Sequence, residues 1–271
     1  MFGKIKNRIL EIGLKDRAKL AFTLAEVLIV VGIIGMVAEM TIPTLVTSVK
    51  EQSTTTILKE TFSILQSAYS GAVAENGDPT TWNLIASGDA TGLANLNQIM
   101  TTQMKVTKNC GTGQGCFPDL TYKDLNGSTT YTPNIDTITS STKVILANGV
   151  SLRMGIYDPA CANAWGTGSD MVTNICGYFQ ADVNGLAPPN QYGVDLFNFH
   201  LSKYGFVPHG APNEYQDSGH LSSFTKYCNK SQVSTAGAPD GGACGGWVIY
   251  RGNLDYLDCN DLSFTGKSKC S

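Results

Sequence analysis

Apolar residues crowd one end of this chain. Across residues 27–38 no charge interrupts them, and the run continues through Met40, Ile42, Leu45 and Val46. As a helix, residues 22–46 extend about 37 Å, enough to cross a bilayer with tilt. Further on, Leu58, Phe62, Leu65, Tyr69 and Ala72 recur at steps of four and three, one apolar stripe at helical period. That stripe is expected to dock on the chain's own folded part. Gly77 and Pro79 then form a stop signal. A single helix from residue 22 to about Asn76 is predicted, roughly 80 Å long with its first half in lipid.

Beyond Pro79 the pattern breaks into short apolar pieces between Gly, Asn, Ser and Thr. Residues 80–140 read as loops with one short helix near 93–104. In TKVILANGVSLRMGIY the pair Asn148-Gly149 fits a two-residue hairpin turn with positive φ at both positions. Further strands are predicted at 177–183 and at 246–251 (GWVIYR). A helix followed by hairpins predicts an α+β fold, an antiparallel sheet covered on one face by the long helix.

The first helix carries three anomalies. Glu26 stands near the start of the apolar run and Glu39 stands inside it. A carboxylate at mid-bilayer costs on the order of 3 kcal/mol on insertion scales, so each calls for a partner. Pro43 removes one helix hydrogen bond and marks a bend. Residues 1–21 carry a net charge of +4 and the remainder −7. Their apolar positions Ile5, Ile9, Leu10 and Ile12 suit a cytoplasmic membrane surface, and the positive charge keeps them on that side.

A basic leader ending in a small residue, then Phe22-Thr23-Leu24-x-Glu26, an apolar run, Gly35 and Pro43 resembles the N-terminal segment of type IV pilins and type II secretion pseudopilins. The likeness is close over residues 19–46 and loose to about residue 76. Two positions depart from the pattern: Ala21 where Gly is usual, and Glu39 where a small apolar residue is usual. The competing reading is a secretory signal peptide cut after Ala38. It leaves a long basic region in front and gives Glu26 no role.

The resemblance implies four segments: a leader (1–21), a transmembrane polymerisation helix (22–46), its amphipathic continuation (47–78) and a globular head (79–271). It implies cleavage between Ala21 and Phe22 by a prepilin peptidase and N-methylation of Phe22. The implied partners are other pilin or pseudopilin subunits and an inner-membrane assembly platform. Glu26 lies on one face with the new α-amino group, its own or a neighbour's. Gly32 and Gly35 permit close helix approach, and Pro43 lets the helix bend. The implied location is the bacterial inner membrane with the head exported, then a filament, as a minor pilin or pseudopilin. An exported, membrane-tethered binding or adhesin domain is the alternative.

Eight cysteines, Cys110, Cys116, Cys161, Cys176, Cys228, Cys244, Cys259 and Cys270, all follow residue 109. Their even number beyond the apolar segment predicts four disulfides in an oxidising compartment. Nearest neighbours are expected to pair, closing short loops at 110–116 and 259–270. No Cys-x-x-Cys occurs, which weakens a zinc reading. The acidic remainder argues against a broad nucleic-acid surface.

The stretch ADVNGLAPPNQYGVDLFNF, residues 181–199, is dense in turn formers. Asp182, Asn184, Asn190 and Asp195 offer hard oxygens to calcium, a metal that the resemblance implies for some pseudopilins. The spacing is not that of an EF-hand loop. The plainer expectation is that these side chains cap turns while Phe197 and Phe199 face the core. The stretch, with Trp247 later, also resembles heads of some bacterial pilin-like proteins. His200, His209 and His220, with Asp217 and Ser222 nearby, match no ligand spacing and are expected on the surface or in turns. No phosphate-cradling loop or placed catalytic group appears, so no enzyme activity and no bound cofactor besides calcium is expected.

Overall fold

A computed structural model describes residues 23–129, 132–167, 169–212, 223–231 and 240–270. The chain divides into two units, Met1–Thr47 and Ser48–Ser271. Helix α1, Leu24–Asn76, supplies the described part of the first unit apart from Thr23 and enters the second. It is long and apolar enough to cross a membrane. It also runs on through Pro43 without a break. Thr41, Thr44 and Thr47 return their hydroxyls to the Val37, Thr41 and Pro43 carbonyls around that point.

In the second unit, six strands follow in chain order across one antiparallel sheet: β1 Val106–Gly111, β2 Thr142–Leu146, β3 Ser151–Ile156, β4 Ile175–Asp182, β5 Leu196–Ser202 and β6 Gly205–Pro208. Helix α2, Ala90–Thr102, starts on an Asp89 cap whose carboxylate accepts from the Thr91 and Gly92 amides. Among the described residues, the short α-helices α3 Asp170–Thr173, α4 Phe224–Tyr227 and α5 Gly245–Arg251 and the 3-10 turns Pro79–Thr81 and Asp255–Leu257 complete the unit.

Alternation along the strands gives the sheet two unlike faces. One face presents Leu152, Met154, Phe179, Ala181, Phe197, Phe199, Leu201 and Phe206, all buried. It packs with Leu58, Leu65, Ala68 and Ala72 of α1, with Phe62 and Tyr69 partly buried beside them. The predicted stripe is therefore the contact, as expected. The other face is polar and also buried. Arg153 donates to Ser141 Oγ, Gln180 Oε1 and Tyr178 Oη, and Gln180 Nε2 donates to Asn198 Oδ1. Buried polar groups persist only when paired in this way. Loop residues Phe117, Tyr122, Ile135 and Tyr192 close over Leu196 on this side.

Three local expectations are corrected. Residues 245–251 form helix α5, where a strand was predicted at 246–251. Gly252 at φ +77 caps its end through a bond to the Val248 carbonyl. The β2–β3 connection is a three-residue loop, with Leu146 paired to Val150 across it. Only Gly149 takes positive φ there, so the turn is the longer, bulged kind. Residues 80–140 contain strand β1 as well as the expected helix, which spans Ala90–Thr102.

Four disulfides join successive cysteines: Cys110–Cys116, Cys161–Cys176, Cys228–Cys244 and Cys259–Cys270. Among the described residues no cysteine is free.

Candidate functional site

Two places hold polar groups where burial or an apolar setting makes them costly. The first is the start of α1. Thr23 and Glu26 form a reciprocal capping box: Glu26 Oε2 accepts from the Thr23 amide and hydroxyl at 2.8 Å each, and Thr23 Oγ1 accepts from the Glu26 amide at 3.2 Å. The Thr-x-x-Glu spacing that announces this box was legible in the sequence, and it adds Thr23 to the set. Around it, Val27, Leu28, Ile29, Val30, Val31, Ile33, Ile34, Met36 and Val37 are all exposed. A helix apolar on every side is stable only when something apolar surrounds it. A Cβ added at Gly32 or Gly35 meets nothing within 4 Å in the single chain, so both leave room for a close neighbour. Ala21 and Phe22, expected at the cleavage and methylation point, lie outside the described residues.

The second place is the β4–β5 connection, which brings Asp182, Asn184, Asn190 and Asp195 together. Asp182, at the end of β4, accepts from the Tyr122 hydroxyl on Oδ2 and from the Asn184 amide on Oδ1 at 3.2 Å. Asp195 Oδ2 accepts from the Asn190 amide at 2.7 Å, and its Oδ1 from the Gln191 amide at 2.6 Å. Asn184 Nδ2 donates to the Pro188 carbonyl. The turn-capping expectation is thus met. It accounts for backbone amides and leaves other atoms over: Asn184 Oδ1, Asn190 Oδ1 and Ser151 Oγ are buried and accept nothing.

Electrostatics sharpen the point. Burial drives the Asp182 carboxyl up to about 8, and the Asp195 charge pushes the same way. Asp195 is itself raised, chiefly by burial. No Lys or Arg is among the groups that act on either carboxyl. Two buried carboxylates sharing a loop without a cationic side chain are poorly compensated. Among the described residues no cluster of three His, Cys, Asp or Glu forms a metal site. The donors here are two carboxylates with amide and hydroxyl oxygens, the hard set that suits calcium.

The histidines correct another expectation. His200 and His209 are buried, with ring centroids 4.6 Å apart, and Trp165 lies 4.6 and 5.6 Å from them. His209 Nδ1 lies 2.8 Å from the Gly242 carbonyl. They pack in an aromatic cluster under the polar face of the sheet: His200 lies in strand β5, where a surface or turn position was expected, and His209 lies in the turn after β6, as expected, though buried. His220, Asp217 and Ser222 lie outside the described residues.

No family model, curated protein or solved structure matches this chain.

Proposed function

We propose that this chain is a structural subunit, a minor pilin or pseudopilin, of a type IV pilus or type II secretion filament. The observation that carries the reading is the start of α1. A carboxylate in the first turn opens a helix whose next residues expose apolar side chains on every side, in a sequence pattern that resembles the prepilin segment. Four disulfides beyond that helix fit an exported domain.

The mechanism follows from the residues. The basic leader holds residues 1–21 in the cytoplasm while α1 crosses the membrane. Peptidase cleavage after Ala21 frees the Phe22 amino group, which is then methylated and stays largely charged at neutral pH. Both Thr23 donors use Glu26 Oε2, which leaves Oε1 for the amino group of a neighbouring subunit. A buried charge is costly without its partner, so the pair selects axial register more than it adds stability. Apolar helices packed side by side in the filament remove the exposed surface from lipid, with Gly32 and Gly35 at close approaches. Successive contacts are heterologous and do not close, which yields a fibre.

The test is the N-terminal residue and intact mass of the protein recovered from the cell envelope. A chain beginning at N-methylated Phe22 supports the proposal. A start at Glu39 makes it a secreted domain released by signal peptidase, and a start at Met1 a tethered one; either result overturns the filament reading.

A further inference from the structure

We propose that Asn126 is an N-linked glycosylation site, which takes an oligosaccharide from a polyprenyl-pyrophosphate donor once the head has left the cytoplasm. The inference rests on export, for which the four disulfides speak, and does not depend on the filament reading. An Asn-x-Ser/Thr triplet with x other than Pro is the acceptor pattern for this modification, and it has to lie on a surface loop of an exported chain. The sequence holds two such triplets, Asn126-Gly127-Ser128 and Asn229-Lys230-Ser231. A triplet alone says little, so its place in the fold decides.

The first triplet stands at the tip of an anchored turn. The Gly127 amide donates to the Asp124 carbonyl at 2.9 Å, which puts Leu125 and Asn126 at the centre of the turn. Its feet are tied down. The Asp124 amide donates to the Ser128 carbonyl, the Leu125 amide to the Asp240 carbonyl, and Gln191 Nε2 to the Asp124 and Leu125 carbonyls. At the tip, Asn126 and Gly127 are exposed, and a Cβ added to Gly127 meets nothing within 4 Å. Asn126 Oδ1 accepts from the Ser128 amide at 3.0 Å, an Asx turn that brings the hydroxyl-bearing residue beside the acceptor amide. Tyr122, four residues earlier, belongs to the loops over the polar face of the sheet, whereas α1 packs on the apolar face. A glycan growing from Asn126 therefore leaves the helix contact alone.

The second triplet makes the same Asx turn, with the Ser231 amide 2.9 Å from Asn229 Oδ1, yet it is engaged elsewhere. Asn229 is half-buried beside the Cys228–Cys244 bridge, and its backbone amide donates to Asp240 Oδ1 at 3.1 Å. Asn260 Nδ2 donates to the Ser231 hydroxyl at 2.7 Å. A transferase would have to prise the chain around Asn260 away to read that hydroxyl, so Asn126 is the acceptor. In the reaction, Asn126 Nδ2 attacks the anomeric carbon of the donor sugar. A carbon–nitrogen bond forms, and the bond from that carbon to the pyrophosphate oxygen breaks. The lipid pyrophosphate leaves with the electron pair, and one Nδ2 proton passes to a base of the transferase. An amide nitrogen shares its lone pair with the carbonyl, so the step needs that enzyme and does not run unaided.

Full-length protein recovered from the cell envelope is digested with trypsin, and the peptide of residues 124–143 is read by mass spectrometry with electron-transfer fragmentation. The proposal expects a sugar mass on Asn126 in most copies and none on Asn229. Asn126→Gln and Ser128→Ala should each lose that mass, Ser128→Thr should keep it, and Asn229→Gln should change nothing. A bare Asn126, a sugar placed on the serines or threonines of the same peptide, or glycan retained in Asn126→Gln overturns the proposal. The mapping of the wild-type chain decides even where a variant fails to accumulate. The N-terminal residue that tests the filament reading is scored separately, so either can fail without the other.

Discussion

Phe62 of helix α1 lies stacked on Phe199 of strand β5, ring centroids 5.9 Å apart and planes 15° from parallel. Phe199 is fully buried and Phe62 partly so. Their contact marks where the helical stripe and the strand alternation meet. Phe62→Ala should cost about 2–3 kcal/mol, somewhat less than a fully buried ring because Phe62 keeps some exposure. Chemical denaturation followed by tryptophan fluorescence reads the loss, and a change under 1 kcal/mol means that the stripe contributes little.

Gly210 is expected to tolerate no side chain. It sits at φ +83, and a Cβ there would come within 1.8 Å of the Ala243 carbonyl. That carbonyl is fixed backbone next to Cys244, whose disulfide to Cys228 restricts any retreat. Gly210→Ala combines backbone strain with overpacking, about 2–4 kcal/mol in all. A melting temperature equal to wild type would show that the loop yields freely.

Asp240 gives stability a pH dependence. Burial raises its carboxyl to about 7, with Asp124 adding repulsion. Because the folded value lies above the unfolded one, this group's contribution is whole below pH 4 and is lost as pH rises through about 7. Asp240→Asn keeps an oxygen for the Asn229 amide, which Asp240 Oδ1 now accepts. The variant should melt higher than wild type at pH 8 and converge with it towards pH 5. Parallel melting curves at both pH values contradict the assignment.

Removing one disulfide should be tolerated locally and felt globally. Cys228 and Cys244 are 16 residues apart, and a loop of that size is worth about 3 kcal/mol in the chain-entropy account. Cys228→Ser with Cys244→Ser should lower stability by roughly that amount, leaving the other three bridges intact in a non-reducing peptide map. New pairings among the remaining six cysteines would show that the bridge also directs its neighbours.

Glu26→Ala tests the assembly mechanism apart from processing. The variant should be cleaved and methylated as usual and yet be missing from sheared filaments, assayed by immunoblot of filament and membrane fractions. Normal filament content in this variant ends the register argument.

How much of this could be read in advance follows from which forces act locally. Helix α1 was legible to its last residue, because Leu58 through Ala72 keep one period and Gly77 with Pro79 stop it. The paired cysteines were legible from their number and spacing. Helix α5 was not: Trp247, Val248 and Ile249 favour a strand by type, and tertiary burial of Trp247 against Phe224, 4.7 Å away, overrides that preference. Gly252, which ends the helix, was the available sign. The buried histidines were equally hidden, since their cluster is assembled by Trp165 from a separate loop. At the β4–β5 loop the four Asp and Asn positions stood out, whereas Ser151 joins them only through strand register.

The disulfide pattern has a consequence for how the head comes into being. The four closed loops lie one after another along the chain, none nested in or crossing another. A polypeptide delivered through a membrane from its N-terminal side presents its cysteines in that same order. The second thiol of each pair therefore finds its correct partner already out, 6 to 16 residues behind it. Of the 105 pairings open to eight cysteines, sequential emergence alone favours the native one, and oxidation can keep pace with export without reshuffling.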